Sequence, residues 1–168
     1  EKSVAIAFDS RNNSQYFAGV AAGVLCKAGI KVYLFNTLMP TPVLSFAVRY
    51  HNCTAGIVLT ASHNPKEYNG YKVYDAKGCQ LVPEYADKVI AYVNAVTDLR
   101  DIPAMPLEEA QAAGMLEYIG DDTLNAFIAE VKTQSLYNEP SDLKIVYTAL
   151  HGTGNIPVRK VLEGKNVA

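Results

Sequence analysis

The sequence predicts an α/β sandwich, and three observations carry that reading. Short apolar runs at Val4 to Phe8, Ile30 to Phe35 and Ala55 to Thr60 each give way to polar or turn-forming residues. Stretches with apolar residues at helical spacing separate these runs. The second run is apolar at nearly every position, the pattern of a strand covered on both faces in a parallel sheet between helix layers.

Each element has its own signal. Val4 to Phe8 reads as a buried strand closed by Asp9-Ser10-Arg11-Asn12-Asn13. The helix after it carries the stripe Phe17, Val20, Ala21, Val24, Leu25 and Ala28, with Asn13 or Ser14 as cap and Gly29 as stop. Thr41-Pro42 supplies an N-cap and a first-turn proline for a helix running to about Tyr50. Ala55 to Thr60 leads into Ala61-Ser62-His63-Asn64-Pro65, and the Asn69-Gly70 turn introduces a fourth strand, Tyr71 to Tyr74. Further helices are expected over 84 to 96 (stripe Ala86, Val89, Ile90, Val93) and 122 to 134 (Leu124, Phe127, Ile128, Val131), the latter capped by Asp121 or Asp122. Asn138-Glu139-Pro140-Ser141 reads as a linker, placing one domain over 1–138 and the start of a second over 139–168. That second part is expected to hold a strand from Leu143 to Leu150, the loop His151-Gly152-Thr153-Gly154 and a helix led by Pro157.

Composition narrows the function classes. With 15 Lys+Arg against 17 Asp+Glu and 49% hydrophobic residues, the chain is neither a nucleic-acid-binding polycation nor a disordered polymer. No apolar run nears the roughly 20 residues that span a bilayer. Cys26, Cys53 and Cys79 form no C-x-x-C pair, so reduced thiols and a cytoplasmic location are expected. The pattern is already running by Val4 behind a first residue Glu1, as in a piece of a longer protein.

Chemistry is expected at the strand-end loops, where α/β sheets bind ligands. Ser62 stands beside His63 at the end of a buried strand, a placement that suits a nucleophile on a rigid scaffold. A serine hydrolase is disfavoured because G-x-S-x-G is absent. His63 reads as a poor base for Ser62, since neighbouring side chains on an extended segment point apart. A plain turn made by Ser62-His63-Asn64-Pro65 is the competing interpretation. Arg11, Lys66, Asn69, Gly70 and Lys72 tilt the balance toward phosphate chemistry, in which cations and amide donors meet negative oxygens. Singly, Lys72 reads better as a solvated strand residue and Arg11 as a surface loop charge than as functional groups. His151-Gly152-Thr153-Gly154 has Pro157 where a dinucleotide fingerprint would carry its third glycine, so it reads as a tight turn. His51 has no evident partner and reads as a helix-end residue.

The segments VAIAFDSR (4 to 11), PTPVLSFAVR (40 to 49), GIVLTASHNPKEYNGYKVY (56 to 74) and YTALHGTGNIPVRKVL (147 to 162) resemble the α-D-phosphohexomutases, in the long phosphoglucomutase type that includes phosphopentomutases. The resemblance implies a three-layer α/β/α sandwich with a mixed, mostly parallel sheet, the first of four domains. It implies that Ser62 is the serine phosphorylated in the active enzyme, exchanging its phosphoryl group with a hexose or pentose phosphate through a bound bisphosphate. Lys72 matches the general acid/base lysine, Arg11 the arginine that contacts the phosphoserine region, and His63 and Asn64 residues lining the same site. Mg²⁺ is implied as cofactor, bound in part through the Ser62 phosphate. The family's D-G-D-x-D-R metal loop, G-E-x-S-G sugar loop and R-x-S-G-T phosphate loop are absent, so these 168 residues alone are expected to be inactive. Phosphoglucomutase is the leading expectation, with phosphopentomutase, phosphomannomutase and a phosphate-binding regulatory domain as alternatives.

Overall fold

The computed structural model describes residues 2–136 and 142–163. Strands β1 (Ser3–Phe8), β2 (Lys31–Phe35), β3 (Ala55–Leu59), β4 (Tyr71–Tyr74) and β5 (Leu116–Ile119) form one sheet in the order β4-β3-β1-β2-β5. All neighbours run parallel except β3 and β4, which are antiparallel. Helices α1 (Ser14–Lys27), α2 (Thr41–Tyr50), α3 (Pro83–Asn94), α4 (Leu107–Ala112), α5 (Asp121–Thr133) and α6 (Asn155–Leu162) complete the element order. The expected mixed, mostly parallel α/β/α sandwich is present.

Two apolar layers hold the sheet. On one face Ala5, Ala7, Val58 and Tyr74 pack with Val43, Leu44, Ala47 and Val48 of α2 and with Leu124 and Ile128 of α5. On the other, Val4, Ile6, Ile57 and Leu59 pack with Ala18, Ala22 and Cys26 of α1 and Ala110 of α4. Every residue of β1 is buried, as expected of a central parallel strand.

Several expectations need correcting. The buried face of α1 is Ser14, Ala18, Ala22, Gly23 and Cys26, not the stripe through Phe17 and Val20, both of which are exposed. Small residues win that face because the chain crosses it closely: a Cβ on Gly23 would stand 2.7 Å from the Met105 carbonyl oxygen. Asn13 occupies the cap position of α1 with a left-handed φ of 65°, yet its side chain makes no capping bond. Gly29 does end the helix, at φ 77°, with Gly29 N–H donating to Cys26 O and Ile30 N–H to Leu25 O, a Schellman arrangement.

Helix α3 forms where expected, but none of its residues is buried, and Val89, Ile90 and Val93 are exposed. Helix α4 and strand β5 had no counterpart in the expected elements. Residues 142–150 form no strand: among the described residues no neighbouring strand pairs with them, and a strand is defined by its ladder. The helix after them is present as α6, with Pro157 in its first turn. The expected linker and domain boundary at 138/139 lie outside the described residues.

Candidate functional site

Ser62 sits just past the carboxyl end of β3, exposed, with a left-handed φ of 56°. A non-glycine residue adopts that conformation only when its surroundings hold it there. Ser62 N–H donates to Thr60 Oγ1 at 3.0 Å, and Asn64 N–H to Ala61 O at 3.0 Å, closing the turn. Ser62 Oγ lies 3.1 Å from His63 Nδ1. This corrects the expectation that the two side chains diverge: divergence belongs to extended backbone, and Ser62 is not extended.

Arg11 organises the same loop through its carbonyls. Its Nη1 donates to Pro65 O at 2.9 Å and Tyr68 O at 3.0 Å, and its Nη2 to Ser62 O at 3.1 Å and Asn64 O at 2.5 Å. A planar guanidinium presents donors in a fixed fork, which suits it to bind several acceptors at once. Arg11 is itself held. Its Nε lies 3.4 Å from Asp9 Oδ2, and its N–H donates to Asp9 Oδ1 at 3.0 Å.

A buried relay ties this clamp to the far end of the loop. Ser14 Oγ donates to Asp9 Oδ1 at 2.7 Å and accepts from Asn69 Nδ2 at 2.9 Å. Asn69 Oδ1 accepts from Gly70 N–H at 2.8 Å, and Gly70 O accepts from Thr60 N–H at 3.0 Å. Gly70 is required by space: a Cβ there would stand 2.5 Å from Thr60 O. Ser14, fully buried, therefore joins the first strand-end loop to the second.

Ser62, His63, Asn64 and Arg11 are thus brought together. Lys72 lies opposite Val58 in the β3–β4 ladder, half-buried, on the sheet face that α2 covers. It makes no hydrogen bond or ion pair to those four among the described residues. The third loop also approaches: Leu150 and His151 have positive φ, and Ser10 Oγ donates to the His151 carbonyl oxygen. Sequence reasoning placed Asp9 and Thr60 in the strand-end loops without giving either a role, and missed Ser14; the T-x-S spacing at Thr60 and Ser62 is the signal that could have shown the role of Thr60.

His51, expected without a partner, caps the end of α2, and its Nε2 lies 2.9 Å from Thr123 Oγ1. Its ring stacks on Tyr33 at 4.6 Å, and burial pulls its pKa down from the ordinary 6.5.

The donor set does not suit a resident divalent metal. Among the described residues no three His, Cys, Asp or Glu side chains converge, and Asp9 is committed to Arg11 and Ser14. No helix among the described residues is long and apolar enough to cross a membrane.

Fold and site together define a class: an α/β/α domain presenting an exposed serine on a guanidinium-pinned loop at the carboxyl ends of parallel strands. The chain belongs to the phosphoglucomutase/phosphomannomutase family, since residues 1–100 match the description "Phosphoglucomutase/phosphomannomutase, alpha/beta/alpha domain I". It is 42% identical over 166 residues to a Haemophilus influenzae protein named "Probable phosphomannomutase", covering 96% of this chain and 33% of that protein. It is 40% identical over 168 residues to the phosphoglucomutase of Staphylococcus haemolyticus, covering 98% of this chain and 30% of that protein. A Burkholderia thailandensis structure titled as a phosphoglucomutase/phosphomannomutase family protein shares the fold, with a TM-score of 0.72 at 22% identity over 99% of this chain and 34% of that one. The chain therefore spans about a third of the length of the curated relatives it matches.

Proposed function

We propose that this chain is the phosphoryl-carrying domain of a phosphohexomutase that interconverts glucose 1-phosphate and glucose 6-phosphate, with Ser62 as the carrier. The observation that supports it most is Ser62 itself, exposed at a strand end, in hydrogen-bond reach of His63 and on a loop fixed by Arg11. Relatives named phosphoglucomutase and phosphomannomutase favour a hexose phosphate over a pentose phosphate.

In the forward step the P–Oγ bond of phospho-Ser62 breaks as a sugar hydroxyl oxygen bonds to phosphorus. The hydroxyl proton passes to Lys72 acting as general base, and the departing Ser62 Oγ takes a proton from His63. The bisphosphate formed turns over, and its other phosphoryl group returns to Ser62 by the reverse transfers. Arg11 keeps the loop in place throughout, and Asn64 lines it. Mg²⁺ belongs to this reading as a hard cation that phosphoryl oxygens attract. Among the described residues the side chains around Ser62 do not form a site for it. A cytoplasmic enzyme fits the free thiols of Cys26, Cys53 and Cys79.

The test uses the intact enzyme that contains this domain. Ser62→Ala is expected to abolish mutase turnover, and intact mass of the wild type to show one added phosphate that the variant lacks. Wild-type turnover in Ser62→Ala would overturn the proposal.

A further inference from the structure

Thr60 holds two bonds at the root of the loop. Its N–H donates to Gly70 O at 3.0 Å, continuing the β3–β4 ladder by one rung, while its Oγ1 accepts Ser62 N–H at 3.0 Å. Only 7% of its surface is exposed, so its hydroxyl is held in place at the root of the loop. The second bond spans two residues and fixes Ser62 at φ 56°, where an L-residue does not settle unaided. Rotation about the Ser62 N–Cα bond carries the serine side chain and His63 together, so this φ sets where the pair, with Ser62 Oγ 3.1 Å from His63 Nδ1, points relative to β3. Removing the acceptor would leave the Ser62 amide without its partner and let the residue relax toward the extended region. The hydroxyl and the imidazole would then swing together away from their place at the end of β3.

We propose that Thr60 is a positioning residue for the Ser62 nucleophile: its hydroxyl holds the left-handed turn that points Ser62 Oγ, with His63 beside it, out of the end of β3. The proposal rests on the reading of Ser62 as phosphoryl carrier. Arg11 fixes where the loop lies; Thr60 fixes which way its serine points. The two tasks differ physically. A misplaced loop weakens sugar binding, whereas a misdirected Oγ slows transfer from substrate already bound.

The experiment compares Thr60→Val, which keeps the shape and loses the acceptor, with Thr60→Ser, which keeps the acceptor, in the intact enzyme. Thr60→Val is expected to lower kcat about tenfold or more, with KM changed by less than about twofold and a thermal midpoint lowered by only a few degrees, roughly what one lost hydrogen bond costs. Thr60→Ser is expected to restore kcat to within about threefold of wild type. A wild-type kcat in Thr60→Val, a rise in KM alone, or an equal kcat loss in Thr60→Ser overturns the proposal. Should Thr60→Val fail to fold, Thr60→Ser alone decides, since a loss beyond about threefold contradicts it. Ser62→Ala separates the two ideas. If it is inactive while Thr60→Val is fully active, this inference fails and the carrier reading stands; if it is active, the carrier reading fails.

Discussion

Arg11 reaches Ser62 through the main chain: Nη2 donates to the Ser62 carbonyl oxygen at 3.1 Å, leaving the hydroxyl to His63. The guanidinium thus acts on the path of the loop, and the four carbonyls it binds run from Ser62 to Tyr68.

Arg11→Lys therefore removes the fork while keeping the charge. An ammonium is a point charge and cannot span four acceptors. We expect kcat/KM of the intact enzyme to fall about tenfold or more and amide exchange across 62–68 to quicken, since hydrogen bonds to charged groups contribute ~1.5–3 kcal/mol. Unchanged exchange in that segment would show that the loop stands without Arg11.

Gly70→Ala should destabilise the chain by about 1–3 kcal/mol, as an intruding methyl does in a close-packed site. The added carbon would meet backbone, Thr60 O at 2.5 Å, so no side chain can rotate out of its way. Thermal or urea unfolding of wild type and variant checks this. A variant as stable as wild type would mean that the β3–β4 pair parts freely at this rung.

Lowering the pH should destabilise the chain through His51. Burial, the largest cause, holds its folded pKa below 6.5, with Lys31 adding to the effect and Glu117 opposing it. The unfolded imidazole binds protons more readily, so stability is full above about pH 6.5 and declines as pH falls below it, levelling under the folded pKa. Thr123, Tyr33 and Tyr50 are the other groups that face the ring. His51→Gln is expected to flatten the slope of Tm between about pH 7 and pH 5; an unaltered slope assigns the effect elsewhere.

Thiol chemistry should separate the cysteines. Cys26 and Cys53 are buried, and burial raises both pKa values, whereas Cys79 is exposed. Alkylation of the folded chain at neutral pH is expected to label Cys79 first, with the others reacting only on unfolding. Peptide mapping by mass reads the result, and early labelling of Cys26 would mean that α1 lifts from the sheet.

Much of this fold was legible because local signals agreed. β1, β2, β3 and α2 announce themselves by unbroken apolar runs, polar stops and the Thr41-Pro42 start. β5 was not legible. It has four residues, and only Leu116 and Ile119 are buried, so it shows neither alternation nor a continuous apolar run. Its identity comes from β2 beside it, with Lys31 Nζ 3.1 Å from Glu117 Oε2. Gly114 could have hinted at α4, since it stops that helix as Gly29 stops α1. The stripe of α1 misled because amphipathic spacing favours large residues, while the tight crossing of Met105 over Gly23 favours small ones. At the site, residue types announced Ser62, His63 and Arg11. The relay through Asp9, Ser14 and Asn69 joins positions far apart in sequence, and only the folded chain makes them neighbours.

The antiparallel pairing of β3 with β4 has one more consequence. Leu59 lies opposite Tyr71 and Val58 opposite Lys72, so the segment bearing Ser62 leaves and rejoins the sheet on the same rung. Its length is therefore a ruler. Inserting or deleting one residue between Thr60 and Gly70 would either be absorbed as a bulge or slide β4 by a step. Such a slide would exchange the faces from which Lys72 and Val73 emerge. The side from which Lys72 emerges is thus bound to the register of the β3–β4 pair: a slide of one residue would turn it away from the α2 side, whereas a bulge would leave it there.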